Sequence, residues 1–366
     1  MLLRSADFGG AKHHLQWASD LGINSANYYL GLLAWYANEP EIAQKHYQSV
    51  PEDDPLYIAA QCGIASVLFG MGDWKSAIQL LEEKQKDKES LSQSQLLLAI
   101  ALRNADKLKE ATDLFKTILK TDPLNLVALN ELVGLEPGDV DSISDKLNRL
   151  LSDDQQYYLD LACFYLDIGL HQQAALVLKQ AANGWNYPPL FYLLEFIQDP
   201  EQELDIWITR AQEGPLEYVF PSRPWEIIAL QNAVNLYPGD FQAKYFLGNF
   251  YYARQRYDEA IQLWEQAHSG LDSFDVIHRN LGLAYWQQEK DQEKAIQFFK
   301  RGLDINSKNQ DLYLHLDELY KEIGDNTQRS DLLNKMELLD PIREDLRKRK
   351  LAIMLDLEME DRVLQI

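Results

Sequence analysis

The sequence predicts an all-α chain of stacked helical hairpins, and three observations predict it. Ala43, Ala77 and Ala111 follow one another at steps of 34 residues, and Gly31, Ala65 and Ala99 keep the same step twelve residues before each alanine. Gly248 and Gly282 repeat the interval later in the chain. The hydrophobic fraction of 46% supplies enough apolar surface for a packed interior. A fixed period of this length, with small residues at two set positions, marks a two-helix repeat that buries its apolar face by stacking on its neighbours.

The unit is clearest in residues 241–271, FQAKYFLGNFYYARQRYDEAIQLWEQAHSGL. Leu247, Gly248 and Tyr251 share one face of a first helix, and RQRYDE forms the turn. Ala260, Trp264 and Ala267 share one face of a second helix, at helical spacing. Two antiparallel helices approach closely only where side chains are small. Gly248 and Ala260 supply that contact, and Tyr251 and Trp264 fill the space beside it.

This arrangement resembles the tetratricopeptide repeat, with Leu-Gly and Tyr in its first helix, then Ala, a bulky aromatic, Ala and a closing Pro in its second. From the N-terminus, Leu30-Gly31, Ala43, Tyr47 and Pro55 form one unit. Ala65, the turn Gly72-Asp73-Trp74, Ala77 and Leu81 form the next, and Ala99, Ala111, Phe115 and Pro123 a third. Leu161-Ala162, Tyr165, Gly169, Ala174, Leu178 and Ala181 form a fourth. After the unit around Gly248, Leu281-Gly282, Tyr285, Ala295, Phe299 and Gly302 form another, with one extra residue in the EKDQEK turn. The resemblance therefore implies a tetratricopeptide-type α-α superhelix, a solenoid, with an irregular proline-rich junction.

Two departures define the junction. From Ala111 to Ala174 the step is 63, so NLVALNELVGLEPGDVDSISDKLNRLL reads as a degenerate pair with a trimmed hairpin. Six of the 13 prolines fall between Pro188 and Pro224. Proline lacks the donor that a helix interior needs and clashes with the preceding turn, so helices there must be short. The expected organisation is an N-terminal superhelix over 1–182, an irregular helical junction over 183–225 and a C-terminal superhelix over 226–366. PWEIIALQNAVNLYPGD reads as the second helix of an interrupted repeat. The last helix, from REDLRKRK onwards, keeps apolar residues such as Leu351, Ile353 and Leu355, so it does not read as a clean polar cap.

Composition excludes several classes. With 57 acidic against 35 basic residues the net charge is −22, which repels phosphate backbones, so neither nucleic acid nor an anionic membrane is an expected partner. No run of 18 apolar residues offers a membrane span, and MLLRSADFGGAKHH has no signal-peptide core. A cytoplasmic location is expected. Cys62 and Cys163 sit in apolar helical runs and read as reduced, buried small hydrophobes. The seven histidines show no ligand spacing and read as surface residues, so no metal site and no cofactor are expected. No nucleophile elbow or phosphate-binding glycine loop occurs, and no enzyme activity is expected. Asp53-Asp54 and Asp153-Asp154 read as helix-start residues. Arg347-Lys348-Arg349-Lys350 reads as a solvated helix face.

In tetratricopeptide arrays the first helix of each repeat lines a concave face. Carried over by motif position, the resemblance nominates a partner-binding groove of Tyr28, Trp35 and Tyr36 in the first clear repeat. It adds Tyr245, Asn249 and Tyr252 around Gly248, and Arg279, Trp286 and Gln287 around Gly282. Some arrays hold a peptide carboxylate with Lys and Asn there; Leu96 and Tyr245 replace the Lys here, and only Asn249 fits. A second resemblance, carried by DPLNLVALNELVG, QQYYLDLACFYLDIGLHQQAALVL and Phe220-Pro221-x-Arg223, is to the helical C-terminal half of large bacterial proteins. Their N-terminal half is a β-rich, mutarotase-like, carbohydrate-associated domain. The sequence thus points to a scaffold that holds a protein or peptide partner in its groove. The alternative it implies is the non-catalytic helical arm of a carbohydrate-active protein, with an adjacent β-rich domain as partner.

Overall fold

The computed structural model describes residues 7–84, 92–135, 140–197 and 206–357. Every regular element among the described residues is helical. The chain divides into two compact units, Met1–Asn232 and Ala233–Ile366. The first contains α1 (Phe8–Asp20), α2 (Ser25–Tyr36), α3 (Pro40–Gln48), α4 (Tyr57–Gly70), α5 (Trp74–Lys84), α6 (Ser92–Asn104) and α7 (Leu108–Thr121). It continues with α8 (Leu126–Leu135), α9 (Val140–Asp153), α10 (Gln156–Asp167), α11 (His171–Ala182), α12 (Pro188–Ile197) and α13 (Ile206–Gln212). Helix α14 (Pro224–Leu236) runs across the boundary. The second unit contains α15 (Phe241–Ala253), α16 (Tyr257–His268), α17 (Asp275–Ala284), a π-helical turn (Tyr285–Glu289), α18 (Gln292–Ile305), α19 (Gln310–Ile323), α20 (Asn326–Met336) and α21 (Glu344–Asp356).

The small residues sit where the helices cross. Ala43, Ala77, Ala111, Ala174, Ala260 and Ala295 have no exposed surface. A Cβ at Gly31 would stand 2.6 Å from the Tyr47 ring, one at Gly248 2.6 Å from the Trp264 ring, and one at Gly282 2.4 Å from the Phe299 ring. The aromatic of the second helix therefore lies directly on the glycine of the first, and any larger residue would push it away. The last hairpin solves the same crossing differently. Asp317 and Arg329 are also twelve residues apart, as Gly31 and Ala43 are. Both are buried, and Arg329 Nε donates to Asp317 Oδ1 at 2.8 Å. A buried ion pair replaces two small side chains.

The turn is the second repeated device. Asn38, Gly72 and Asp106 all have positive φ, at steps of 34, and Gly169, Gln255, Lys290 and Gly324 follow in the later hairpins. The left-handed residue reverses the chain after the first helix. In three hairpins the next residue is an aspartate that caps the second helix: Asp73 accepts from Ser76 N, Asp291 from Lys294 N and Asp325 from Gln328 N. The extra residue expected in EKDQEK is absorbed just before that turn, in the π-helical turn, closed by Asp291 N donating to Tyr285 O at 2.9 Å.

Pro188 and Pro189 stand in the first turn of α12, where a missing N–H costs nothing. That helix is deeply embedded, with Leu190 to Leu194 each at 1% exposure or less. The loop before α14 is pinned by Arg223, whose Nε donates to Asp160 Oδ1 and whose NH1 donates to Gln156 Oε1. Buried Glu226 receives the backbone N–H groups of Ser222 and Arg223 at 3.1 and 2.9 Å and so closes the start of α14. At the chain end, α21 buries Leu346, Ile353 and Met354 but leaves Leu351 and Leu355 exposed. The basic run is only partly a solvated face: Arg349 turns inward, its Nε 3.3 Å from Oδ2 of the buried Asp317, whose other oxygen accepts from Arg329.

Cys62 and Cys163 are free and buried, as expected. Burial pushes the Cys62 thiol up to about 11, so it stays protonated and unreactive. Asp54 and Asp154 accept from Leu56 N and Gln156 N beside α4 and α10, in keeping with a helix-start role.

Candidate partner-binding groove

The nine nominated residues have different fates in the two units. In the first, Tyr28, Trp35 and Tyr36 are half-buried. Tyr28 packs on the cluster around Tyr47 and Ile64. The Trp35 ring lies 3.4 Å from a Cβ position at Gly70 and 3.1 Å from one at Gly169, wedged between the ends of α4 and α10. The Tyr36 hydroxyl donates to Asp167 Oδ1 at 3.5 Å, and its ring meets Trp225 edge-on at 5.2 Å. The last helix of this unit thus returns to its first repeat. Trp225 Nε1 also donates to Asp167 Oδ1, at 2.7 Å. The Asp167 carboxyl keeps an exposed face while these rings enclose its sides. Desolvation by that enclosure pushes its pKa up to about 6, against the pull of the two hydrogen bonds.

A hollow of about 370 Å³ opens elsewhere on this unit, lined by Arg103, Glu131, Tyr165 and Gln180 among others. Its polar groups pair with one another, although Arg103 Nε makes no hydrogen bond. Arg103 Nε lies 2.9 Å from Glu131 Oε2, Tyr165 OH donates to Glu131 Oε1 at 2.8 Å, and Asn130 Nδ2 donates to Tyr165 OH. Burial raises the Glu131 carboxyl, and Arg103 opposes the rise.

In the second unit the first helices are α15, α17 and α19. Tyr245 is 4% exposed and packs edge-on against Phe274 at 5.4 Å, so it presents little surface. Tyr252 is half-buried against Trp264 and Tyr257. A polar line crosses the three helices. Asn249 Oδ1 accepts from Trp264 Nε1 at 3.0 Å and from Asn280 Nδ2 at 3.2 Å. Arg279 NH2 donates to Asn280 Oδ1, and Arg279 NH1 stands 3.6 Å from Asp311 Oδ2. Arg279 Nε is buried and makes no hydrogen bond.

Trp286 and Gln287 come together at the rim of a hollow of about 430 Å³, with Lys290, Gln292, His315, Glu318 and Glu322. The π-helical turn carries the first two, and Lys290 and Gln292 flank the start of α18. His315, Glu318 and Glu322 are three and four residues apart on α19 and so share a face. Trp286 Nε1 donates to Glu322 Oε2 at 2.8 Å, and Gln292 Nε2 donates to the same oxygen. Burial holds the His315 imidazole below its ordinary pKa, so it is neutral near pH 7. The two glutamates share the hollow with the Lys290 ammonium group, and Glu318 also stands 3.5 Å from Arg349 NH2, which leaves Glu322 as the carboxylate without a cationic partner in the ion pairs described. Sequence reading missed the α19 residues; their spacing in DLYLHLDELYKEI was the available signal, but it identifies a face and not what lies opposite.

The expectation of surface histidines fails at His278, which has no exposed surface. It lies on the inward face of α17, and its Nε2 bonds the Asp272 carbonyl at 2.9 Å, a loop contact invisible to local spacing. His268, Asp272 and His278 each bring a ligand-type atom within 4.8 Å of the others. No described helix is long and apolar enough to cross a membrane.

Among solved structures, PilF of Pseudomonas aeruginosa is similar at 17% identity, covering 57% of this chain and 87% of that one, with a TM-score of 0.35. MamA of Desulfovibrio magneticus is similar at 19% identity, covering 50% and 93%, with a TM-score of 0.31. YrrB, described as a tetratricopeptide-repeat protein with an unusual peptide-binding site, is similar at 17% identity, covering 67% and 97%, with a TM-score of 0.26. No curated protein matches the sequence significantly. The tetratricopeptide-repeat family matches residues 240–308, the stretch that holds α15 to α18.

Proposed function

We propose that this protein is a binding scaffold whose second unit holds an extended segment of a protein partner across α15, α17 and α19. Asn249, Arg279, Trp286 and Gln287 orient the segment, and Tyr252 borders it. The observation that carries the reading is the hollow at Trp286, where an aromatic ring and the exposed carboxylates of Glu318, which Arg349 also approaches, and Glu322 line one opening. A lysine or arginine side chain of the partner fits it, with its stem on the indole and its charge at Glu318 and Glu322. The acidic balance of the whole chain attracts such a segment from a distance. The reading assigns no catalytic step to this chain.

The test is fluorescence polarisation with labelled extended decapeptides, lysine- and arginine-rich against glutamate-rich, on the whole chain. Basic peptides should bind, and Trp286→Ala and Glu322→Gln should each weaken them about tenfold. Equal binding of both peptide classes, or affinity unmoved by both variants, overturns the reading.

A second reading has one observation behind it. Tyr218 and Phe220 are 87% and 73% exposed close in sequence to the pinned Arg223, an apolar feature suited to a neighbouring domain such as the β-rich one that the second resemblance implies.

A further inference from the structure

We propose that His268, Asp272 and His278 form a binding site for a divalent transition metal of the zinc type. His268 ends α16, Asp272 lies in the loop that follows, and His278 sits one turn into α17. His268 Nε2 is 3.4 Å from Asp272 Oδ1, and His278 Nε2 is 3.6 Å from the same oxygen. Zinc bonds of about 2.0–2.1 Å in a tetrahedron require ligand atoms about 3.4 Å apart. Two of the three edges therefore fit as they stand. The third, between the imidazoles, lies within 4.8 Å and closes by a small swing of the half-buried His268 ring.

The surroundings fit the same chemistry. Arg301 holds Asp272 Oδ2, which leaves Oδ1 turned towards both rings; orientation of a ligating carboxylate by an outer partner is a regular property of metal sites. The two imidazoles stand perpendicular at 4.8 Å. His278 has no exposed surface, and its Nδ1 has no hydrogen-bond partner. The ring is fixed by one bond only, from Nε2 to the Asp272 carbonyl. Metal binding replaces that bond, and the ring proton moves from Nε2 to Nδ1, so the imidazole stays neutral. The Asp272 side chain is 48% exposed, so a fourth position is open to water. Two imidazoles and one carboxylate suit zinc, cobalt, nickel or copper, and not magnesium or calcium. A bound ion would tie the end of one hairpin to the start of the next, independently of the groove.

Cobalt(II) titration of the whole chain, prepared without a histidine tag, tests the site through the visible absorption of four-coordinate cobalt. One equivalent should bind and be displaced by zinc. His268→Ala and Asp272→Asn, both at partly exposed positions, should each weaken cobalt at least about tenfold. Their thermal melts in chelator should match the parent chain, which shows that folding is intact. Absence of one-equivalent binding, a six-coordinate spectrum, or affinity unchanged in both variants overturns the site. Retained binding that disappears in His13→Ala/His14→Ala does the same.

Discussion

Trp35 and Trp286 occupy the same place in their hairpins, each four residues after the glycine of the first helix, yet they end in opposite situations. Trp35 is wedged against Gly70 and Gly169, and its neighbour Tyr36 is shared with Asp167 and Trp225. Trp286 stands at the rim of an open hollow with its indole N–H on Glu322. The first unit folds back on its own first repeat, and the second leaves a hollow beside its tryptophan. Motif position decides which way a side chain points from its hairpin. Whether anything covers it is decided by residues far along the chain.

The sharpest way to break this contrast is to truncate both indoles. Trp35→Ala should cost about 3–5 kcal/mol, because it empties a packed contact between three helices. Trp286→Ala should cost under about 1 kcal/mol. Denaturant unfolding of the two variants decides, and equal costs would end the distinction.

The second experiment concerns what holds the open unit together. Asp317→Ala leaves Arg329 buried beside a lost partner and should cost about 3 kcal/mol or more. Asp317→Gly combined with Arg329→Ala restores the small pair of the other hairpins and should cost clearly less than either single change, in the same unfolding assay. Simple addition of the two costs would show that the pair is not a substitute for the small-residue crossing.

The smallest expected effect is a pH dependence confined to the closed unit. Asp167 is raised to about 6 in the folded chain against 3.8 ordinarily. Between those values the folded state binds more protons than the unfolded one, so this group stabilises at acid pH and loses that contribution as pH rises through about 6. Melting curves of the parent chain and Asp167→Asn should show the parent losing ground against the variant between about pH 4.5 and 7. A constant difference would mean that Tyr36 and Trp225 do not enclose the carboxyl.

The repeat was legible because its cause is local. Gly31 with Tyr47, Gly248 with Trp264 and Gly282 with Phe299 are demands of one hairpin on itself, and they recur in the sequence at the hairpin's period. The fate of the groove was not legible, since Tyr36 meets Asp167 across 131 residues. The π-helical turn was half legible. Its extra residue was countable, but its placement at Tyr285–Glu289 depends on a backbone hydrogen bond that no side-chain pattern announces. His278 escaped for the same reason: its partner is a loop carbonyl. Asp317 and Arg329 hid in the last hairpin because the crossing there is made by charge, where the period leads one to look for small residues.

The left-handed residues at Asn38, Gly72, Asp106, Gly169, Gln255, Lys290 and Gly324 outlast every variation in the crossings they follow. They are the natural seams of the chain. Cutting and rejoining at two such residues removes or duplicates a whole hairpin without changing how any remaining one reverses direction. The length of an array like this one can then change by recombination in single-hairpin steps, with each new neighbour meeting a backbone of the same geometry.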